Sequence, residues 1–345
     1  MSHLRFRTLR AAPLAVAALL LAAAPAAAQD DFYKGKTIRI VVGFSAGGGY
    51  DTYTRVLARH LSRHVPGNPS ILVENMTGAG SLISANYVYK LAKPDGLTLG
   101  HFSGGLLLGQ VLGQKGVEFE AKKFGYVGAW AREHVVCALT KASGVATLAE
   151  WAGAKAPVKL GGVAPGASTP DSATRLLKAA TGLPIQLVTG YKGTADIRLA
   201  AESGELGGSC FGWNSVRVTW RKALDARELR VVLQAAHKPH PDLRDVPLAA
   251  SLVKTDEGRR FLDVLYSEAA LTRAYTLPPG TPKERVAILR KGFADMLKDP
   301  AFLAEAEKAK LEIDLVTGEE LEQALDSYFR LDAATVAKLR RVLLE

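Results

Sequence analysis

TIRIVVGFSAGGGYD, residues 37–51, places a continuous apolar and β-branched run directly before three glycines. Such a run predicts a buried strand, and the residues from Asp51 onward put Tyr53, Leu57 and Leu61 on one face of a helix. Because glycine has no β-carbon, three of them between a strand and a helix predict that another group comes close to the backbone there.

The same order of strand, polar loop and helix recurs along the chain. Loops rich in Gly, Ser and Thr follow predicted strands at residues 44–51, 77–81, 166–171 and 190–196. Strands that alternate with helices predict parallel pairing, and ligands bind beyond the carboxyl ends of such strands. Helix N-termini at that edge offer free N–H groups to an anion. Each loop alone is also explained as a tight turn, but four at equivalent strand ends favour an anion-binding cleft.

Residues 1–28 have the layout of a secretory signal peptide. A head with three arginines precedes an apolar run, and the small residues Ala26–Ala28 precede Gln29. The apolar run is too short to span a membrane. We therefore expect an exported protein whose mature chain begins at Gln29.

Composition favours a two-domain protein that binds a small molecule. The chain has 44 basic and 34 acidic residues; without the three leader arginines the net charge of +10 falls to +7. The charges are scattered, so nucleic acid is not an expected partner, while a mildly basic surface suits either an anionic ligand or simple solubility. About 317 residues remain after the leader. This is more than a single hydrophobic core usually organises, so we expect two domains. Cys137 and Cys210 either form a disulfide bond or remain two buried free thiols.

Known catalytic and nucleotide-binding patterns are absent from the sequence. Gly43 and Gly48 have the spacing of a phosphate-binding loop, but Gly49-Tyr50 stands where Lys-Ser/Thr is required. His60 and His64 share a helix face without a third ligand, and a solvated face explains them better than a metal. We expect no metal, no cofactor and no catalytic set, and therefore a binding protein.

Several motifs together resemble the Bug family, the periplasmic receptors of tripartite tricarboxylate transporters. They are Gly47-Gly48-Gly49-Tyr50-Asp51, Val73-Glu74-Asn75, Gly78-Ala79-Gly80 and Pro94-Asp95-Gly96, followed by GYKGTAD and PPGTPKERVAILRKGFADMLKDPAF. The resemblance spans essentially the whole mature chain. The chain departs from the family at Gly43-Phe44, Gly80-Ser81 and Ser168-Thr169-Pro170-Asp171, which bears on the ligand more than on the fold.

The resemblance implies an α/β fold of the periplasmic binding protein type, a type II-like clamshell with two domains. Each domain would be a mostly parallel sheet flanked by helices. Domain 1 would comprise residues 29–133 and 237–345, and domain 2 residues 134–236, with HVVCALT and LRVVLQAA crossing between them. Two crossing segments make a hinge that can close on a ligand.

In this family the glycine loops of both domains approach the ligand. The resemblance implies that Gly47–Gly49 and Gly78–Gly80 let a carboxylate reach backbone N–H groups, while hydroxyl-bearing loops close from the second domain. Asp51 either caps its helix and orders the loop or contacts the ligand; the structural role is favoured. The expected ligand-binding residues are Phe44, Ser45, Gly47, Gly48, Gly49, Asp51, Gly78, Ala79, Gly80, Ser81, Ser103, Gly104, Ser168, Thr169, Tyr191, Gly193, Thr194 and Asp196.

The function implied is a monomeric periplasmic receptor that delivers a small carboxylate to integral membrane transporter subunits. One alternative is a sensor of the same fold that docks on a membrane signalling protein. The other is a periplasmic enzyme, for which His101, Asp51 and Asp196 are the available bases. The sequence does not separate the first two functions, because docking surfaces carry no readable motif.

Overall fold

Two mixed sheets, each flanked by helices, make up the computed structural model, which describes residues 32–166 and 168–345. The signal peptide expected over residues 1–28 and the cleavage before Gln29 lie outside the described residues. The predicted α/β architecture with two helix-flanked sheets is confirmed, but both sheets are mixed and not mostly parallel, because several of their strands pair antiparallel with their neighbours.

The first sheet has the strand order β11-β4-β10-β3-β1-β2. β1, β2 and β3 pair in parallel, as the alternation of strands and helices predicts, whereas β10 and β11 return late in the chain and run antiparallel to their neighbours. Its strands are β1 (Thr37–Val42), β2 (Ser70–Asn75), β3 (Thr98–His101), β4 (Gly125–Ala129), β10 (Tyr275–Leu277) and β11 (Val316–Thr317).

The second sheet has the order β7-β6-β8-β5-β9. β6 pairs in parallel with β7 and β8, while β5 pairs antiparallel with β8 and β9. β5 and β9 are the strands by which the chain enters and leaves this sheet, so the two connections lie side by side. Its strands are β5 (Val135–Thr140), β6 (Val158–Gly161), β7 (Ile185–Val188), β8 (Gly208–Gly212) and β9 (Leu229–Ala235).

Helices cover both sheets, and several begin where a strand ends. They are α1 (Gly49–Leu61), α2 (Leu82–Lys90), α3 (Gly105–Val111), α4 (Leu148–Ala152), α5 (Thr169–Thr181), α6 (Thr194–Glu202), α7 (Trp213–Thr219), α8 (Arg221–Asp225), α9 (Asp256–Leu271), α10 (Lys283–Met296), α11 (Pro300–Lys308), α12 (Gly318–Tyr328) and α13 (Ala333–Leu344). None of the helices in the described ranges combines the length and the apolar composition that a membrane span needs.

The two parts of the chain are joined by more than the crossing strands. Helix α5 of the second sheet packs against α9 and α13, which follow the second crossing in sequence. The hydroxyl of Ser172 on α5 donates to the carboxylate of Glu268 on α9, at 3.0 Å from Oε2. The C-terminal helices therefore contact both sheets.

A disulfide settles the two alternatives left open for the cysteines. Cys137 on β5 and Cys210 on β8 are bonded to each other. The strand register explains the pair, because the two residues lie directly opposite each other in the antiparallel ladder. Both are fully buried in the core of the second sheet.

Candidate functional site

A narrow cavity lies between the strand ends of the two sheets, with a volume of ≈ 20 Å³. That volume holds about one water molecule, so the two sides nearly touch. Larger pockets exist on the surface, but they are lined by residues outside the glycine loops. The cavity is lined by Phe44, Gly49, Tyr50, Glu133, Val163, Thr169, Pro170, Gly193, Thr194, Phe211, Gly212 and Ser215.

Asp51 braces the loop before α1. One carboxylate oxygen accepts the Gly47 N–H at 2.9 Å and the Arg55 side chain at 2.8 Å. The other accepts the amide of Asn75 at 3.0 Å, and that amide also donates to the Phe44 carbonyl. Burial alone would raise the pKa of Asp51, but these hydrogen bonds outweigh it and lower the pKa below its ordinary value. The geometry supports the structural role that the sequence favoured.

Different constraints exclude a side chain at the three glycines of this loop. Gly47 has a φ of +76°, which favours glycine. A β-carbon on Gly49 would lie 2.0 Å from the Ser215 hydroxyl, and one on Gly48 would lie 3.2 Å from the Thr194 hydroxyl. Gly48 and Gly49 therefore lack side chains because Thr194 and Ser215, which follow strands of the second sheet, come close to them.

The first and fourth loops touch across the cavity. The Gly49 N–H donates to the Thr194 hydroxyl at 3.3 Å, and the Ser45 hydroxyl donates to Asp196 at 2.7 Å. The Ser45 N–H also donates to the Lys192 carbonyl. A β-carbon on Gly193 would lie 2.7 Å from the Ser45 hydroxyl oxygen. The starts of α1 and α6 therefore face each other, as the sequence predicts for loops at strand ends.

Tyr191 belongs to the fourth loop but does not line the cavity. It is half-buried, and its hydroxyl donates to Glu205 at 2.5 Å.

The second glycine loop lies within the first sheet's side. Residues 78–81 all have positive φ, including the non-glycine residues Ala79 (+46°) and Ser81 (+73°). The Ser81 hydroxyl accepts the Ser103 N–H at 2.9 Å and so connects this loop to the next strand end. Gly104 packs against the backbone of Leu271. A β-carbon on Gly104 would lie 2.4 Å from the Leu271 carbonyl oxygen. None of residues 78–81, 103 or 104 lines the cavity.

The third loop is ordered by a second aspartate. Asp171 accepts hydrogen bonds from the Val163 N–H at 2.7 Å, the Ala164 N–H at 3.1 Å and the Ser168 hydroxyl at 2.6 Å. Burial nevertheless raises the pKa of Asp171 to about 6. The Ser168 hydroxyl is therefore already used in ordering the loop. Thr169, in contrast, lines the cavity, and its buried hydroxyl has no hydrogen-bond partner among the described residues.

A buried ion pair lies beside the cavity, and no sequence pattern indicated it. Arg273 and Glu133 lie 2.9 Å apart, with side chains that are 0% and 3% exposed. The Arg273 guanidinium also donates to the Ser215 hydroxyl at 2.8 Å and lies over the rings of Tyr50 and Tyr53. Burial raises the pKa of Glu133, while Arg273 acts in the opposite direction. Only the tertiary fold brings these two positions together.

Two of the three residues proposed as bases for an enzyme are engaged in hydrogen bonds, and the third, His101, is buried with no partner for its Nε2 among the described residues. His101 is fully buried, stacks on Tyr275 at 4.1 Å and has its Nδ1 3.1 Å from the Ala274 carbonyl. Burial lowers the pKa of His101 to about 3, so the ring is neutral. Asp51 is used in the loop brace, and Asp196 accepts from Ser45. These contacts give the hypothesis of an enzyme no support.

The histidines predicted on a solvated helix face lie instead against α11. His60 is 6% exposed and bonds to Glu305 at 2.6 Å, and His64 bonds to Asp299 at 2.9 Å. The prediction of a solvated face is therefore wrong for His60, because α11 covers it.

Among the described residues, one cluster has the composition of a metal site. His240, Asp242 and Glu312 place ligand atoms within 4.8 Å of one another. Arg217 lies 2.7 Å from Asp242 and 3.4 Å from Glu312. Its positive charge already compensates the carboxylates, so the cluster is a surface ion-pair network.

Comparison with known proteins gives partial sequence matches. No family model matches the chain. A UPF0065 protein from the gbd 5' region of Cupriavidus necator is 47% identical over 85 residues, 25% of each chain. A UPF0065 protein of Bordetella bronchiseptica is 33% identical over 110 residues, 32% of each chain. The matched segments thus span a quarter to a third of these relatives' length.

Solved structures match over nearly the whole chain. A structure described as a periplasmic transporter has a TM-score of 0.73 at 24% identity, over 91% of this chain and 100% of that one. The periplasmic binding protein BugD has a TM-score of 0.71 at 21% identity, over 90% and 99%. MatC from Rhodopseudomonas palustris with bound malate has a TM-score of 0.69 at 20% identity, over 89% and 99%. These matches confirm the fold that the motifs predicted.

Proposed function

Since the chain is a homologue of the UPF0065 proteins and has the fold of the periplasmic binding protein BugD, we propose that it is a periplasmic receptor for a small carboxylate. The ligand binds between the two sheets, in the place now occupied by direct contacts between their loops. The receptor then delivers it to the membrane subunits of a tripartite tricarboxylate-type transporter.

The observation that carries the proposal is the convergence of two helix starts on one cavity. The Gly49 N–H at the start of α1 and the Thr194 hydroxyl at the start of α6 satisfy each other at 3.3 Å. A carboxylate oxygen inserted between them accepts from both donors and gains from the dipoles of both helices. The unpartnered Thr169 hydroxyl at the start of α5 supplies a third donor. All three groups suit an anion, and none needs a charged side chain.

Capture requires the two sides to separate, because the cavity of ≈ 20 Å³ is smaller than any carboxylic acid. We propose that residues 29–133 with 237–345 form one domain and residues 134–236 the other, with the paired connections through β5 and β9 as the hinge. Ligand that contacts both sides favours the closed form, because only that form brings both sets of donors to it. Opening also shifts the contacts of α5 with α9 and α13.

Malate bound to MatC, a protein of the same fold, supports a small carboxylate as the ligand class. The arginine-rich leader expected at residues 1–28 supports export to the periplasm. A sensor that docks on a signalling protein would use the same cleft, so the partner must be tested separately: pull-down of the transporter's membrane subunits with the ligand-loaded receptor supports transport.

A thermal-shift screen of residues 29–345, followed by native mass spectrometry, tests ligand capture. The panel contains mono-, di- and tricarboxylates and aromatic acids, each with its uncharged amide as the matched control. At a concentration one hundred times its Kd, a true ligand adds about 2.7 kcal/mol to the free energy of unfolding. At least one acid should do this while its amide does not. If no acid binds, or acids and amides bind alike, the proposal is wrong.

A further inference from the structure

Strand β7 forms an open edge of the second sheet. β6 pairs with one side of β7, and no strand of the described residues pairs with the other. On the paired side, the Gly162 N–H donates to the Val188 carbonyl at 2.8 Å. Successive residues of a strand present their main-chain groups to opposite sides. The N–H and C=O groups of Ile185 and Leu187 therefore point away from the sheet.

Apart from its length of four residues, β7 lacks the features that protect a sheet edge. Such edges are usually blunted by lysine, by proline or by a bulge. β7 reads Ile-Gln-Leu-Val, without a charge or a proline, and its register with β6 is uninterrupted. Gln186 is exposed, and Leu187 and Val188 are half-buried. The outer side of β7 can therefore accept another extended segment.

A groove of ≈ 770 Å³, here called the β7 groove, borders this edge. It is lined by Ile185, Gln186 and Leu187 of β7, by one face of α5 and by Val342 of α13. It shares no lining residue with the cavity between the two sheets. The β7 groove is thus a second, separate concave surface.

The lining of the β7 groove is basic. Arg175 and Lys178, both on α5, are its charged residues, and no carboxylate belongs to it. Neither cation forms an ion pair within the described part of the chain; the Arg175 side chain makes one long bond, of 3.4 Å, to the Val342 carbonyl. Arg175 also lowers the pKa of Asp171 one turn earlier, but that buried carboxylate is already bonded to the third loop. The groove therefore suits an acidic occupant.

We propose that the β7 groove docks an extended, acidic segment of a partner protein, which adds a strand to the outer side of β7. The segment's backbone pairs with Ile185 and Leu187, as in other cases of strand addition. Every second side chain of the segment points to the face of α5, where carboxylates meet Arg175 and Lys178. A small anion or a lipid headgroup would satisfy the two cations but not the row of main-chain groups. The proposal does not depend on the ligand of the cleft.

Amide hydrogen exchange followed by NMR on residues 29–345 tests this docking mode without any mutation. The probe is a capped peptide of about eight residues in which valine alternates with glutamate, a pattern that favours an extended strand. One control peptide has glutamine for glutamate, and another has methylated backbone nitrogens and so cannot donate. The acidic peptide should slow exchange of the Ile185 and Leu187 amides about tenfold or more. The amides of β2, the open edge of the first sheet, should not change.

Two kinds of variant separate the main-chain contribution from the charges. Leu187→Pro removes an outward N–H and keeps the bonds to β6, a change that edge strands tolerate. Leu187→Pro and the double variant Arg175→Gln/Lys178→Gln should each weaken the peptide about tenfold or more in fluorescence anisotropy. The double variant Lys222→Gln/Arg230→Gln is the matched control, since it removes two exposed cations at the opposite end of the same sheet. If Leu187→Pro does not fold, the two double variants still decide.

Three results would overturn the proposal. They are equal affinity for the acidic and the glutamine peptide, unchanged exchange at both Ile185 and Leu187, and equal losses in the two double variants. Vesicles of phosphatidylglycerol and free glutarate serve as comparisons. If either of these depends on Arg175 and Lys178 while the peptide does not bind, the groove is an anion or membrane surface and the proposal is wrong. None of these results bears on the carboxylate receptor, because the β7 groove and the cavity share no residue.

Discussion

The hydroxyl of Ser45 donates a 2.7 Å hydrogen bond to the carboxylate of Asp196, 151 positions further along the chain. The bond joins the loop after β1 in the first sheet to the first turn of α6 in the second. It exists only when the two sides are together, so it contributes to the free energy of closure and not to the fold of either side.

Removing this bond should weaken ligand capture without unfolding the protein. Buried hydrogen bonds to charged groups contribute about 1.5–3 kcal/mol. Ser45 and Asp196 are only half-buried, so we expect their bond to contribute about 1 kcal/mol to closure. Ser45→Ala and Asp196→Asn should therefore each lower ligand affinity about five- to tenfold. Because each variant removes the same bond, the double variant should lose little more than either single one. Calorimetry with the cognate acid measures this, and Ser267→Ala, which removes an exposed local bond, is the control. Fully additive losses would show that the two residues do not act as a pair.

A methyl group at Gly49 should obstruct closure. Its β-carbon would lie 2.0 Å from the Ser215 hydroxyl and 3.2 Å from Nη2 of Arg273, so Gly49→Ala must displace the opposite side. We expect an affinity loss of about tenfold or more, in line with overpacking costs of about 1–3 kcal/mol, and partial recovery when Ser215→Ala removes the nearest atom. Gly153→Ala, where the nearest atom is 3.5 Å away, is the matched control. Normal binding by Gly49→Ala would mean that the loops do not approach each other in the ligand complex.

Asp51 should stabilise the fold mainly above acidic pH. Its pKa is lowered in the folded protein from the ordinary value of 3.8, so its contribution is fully present above the pKa of the unfolded chain and is lost as the pH falls through the lower folded value. Urea unfolding of Asp51→Asn at pH 7 should show a loss of about 1–3 kcal/mol, and the difference from wild type should shrink toward pH 3. Asp256→Asn, which breaks an exposed pair with Arg259, should change stability far less than Asp51→Asn does, because exposed ion pairs contribute little. A wild-type-like Asp51→Asn would mean that the loop is ordered by other contacts.

Glu268 should make the protein less stable as the pH rises. Burial raises its pKa from 4.5 to about 7, with Ser172 as its hydrogen-bond partner. Between these two values the folded state therefore binds a proton that the unfolded state releases, so the free energy of unfolding falls with increasing pH, by up to about 3 kcal/mol. Glu268→Gln is neutral at every pH and should be more stable than wild type at pH 8 while nearly matching it at pH 4. Parallel pH profiles for the two proteins would contradict this assignment.

The repeating strand-loop-helix units were predictable because each is encoded locally. TIRIVV and SILVEN become β1 and β2, and the glycine loops stand where the strands end. The short strands β10 and β11 and the glycine-rich β4 were not predicted, because two to five residues carry too little periodicity and their partners are distant in sequence. The mixed pairing of the sheets follows from those same returning strands.

The same distinction between local and long-range information separates the site residues that were predicted from those that were missed. The loop residues Gly49, Thr169 and Thr194 were found from local sequence and line the cavity. Glu133 and Arg273 were missed, because an ion pair between positions 140 residues apart leaves no spacing to recognise. The motifs favoured the loop-ordering role of Asp51, but they did not show that Ser81 and Ser168 would also be used to order the loops.

Small-angle X-ray scattering on residues 29–345, with and without a saturating concentration of the cognate acid, tests most directly whether the ligand is captured between the two sheets. We expect the free protein to populate an open form and the ligand to lower the radius of gyration, with a smaller decrease in Gly49→Ala than in Gly153→Ala. An unchanged radius at full occupancy of the wild-type protein would contradict capture by closure.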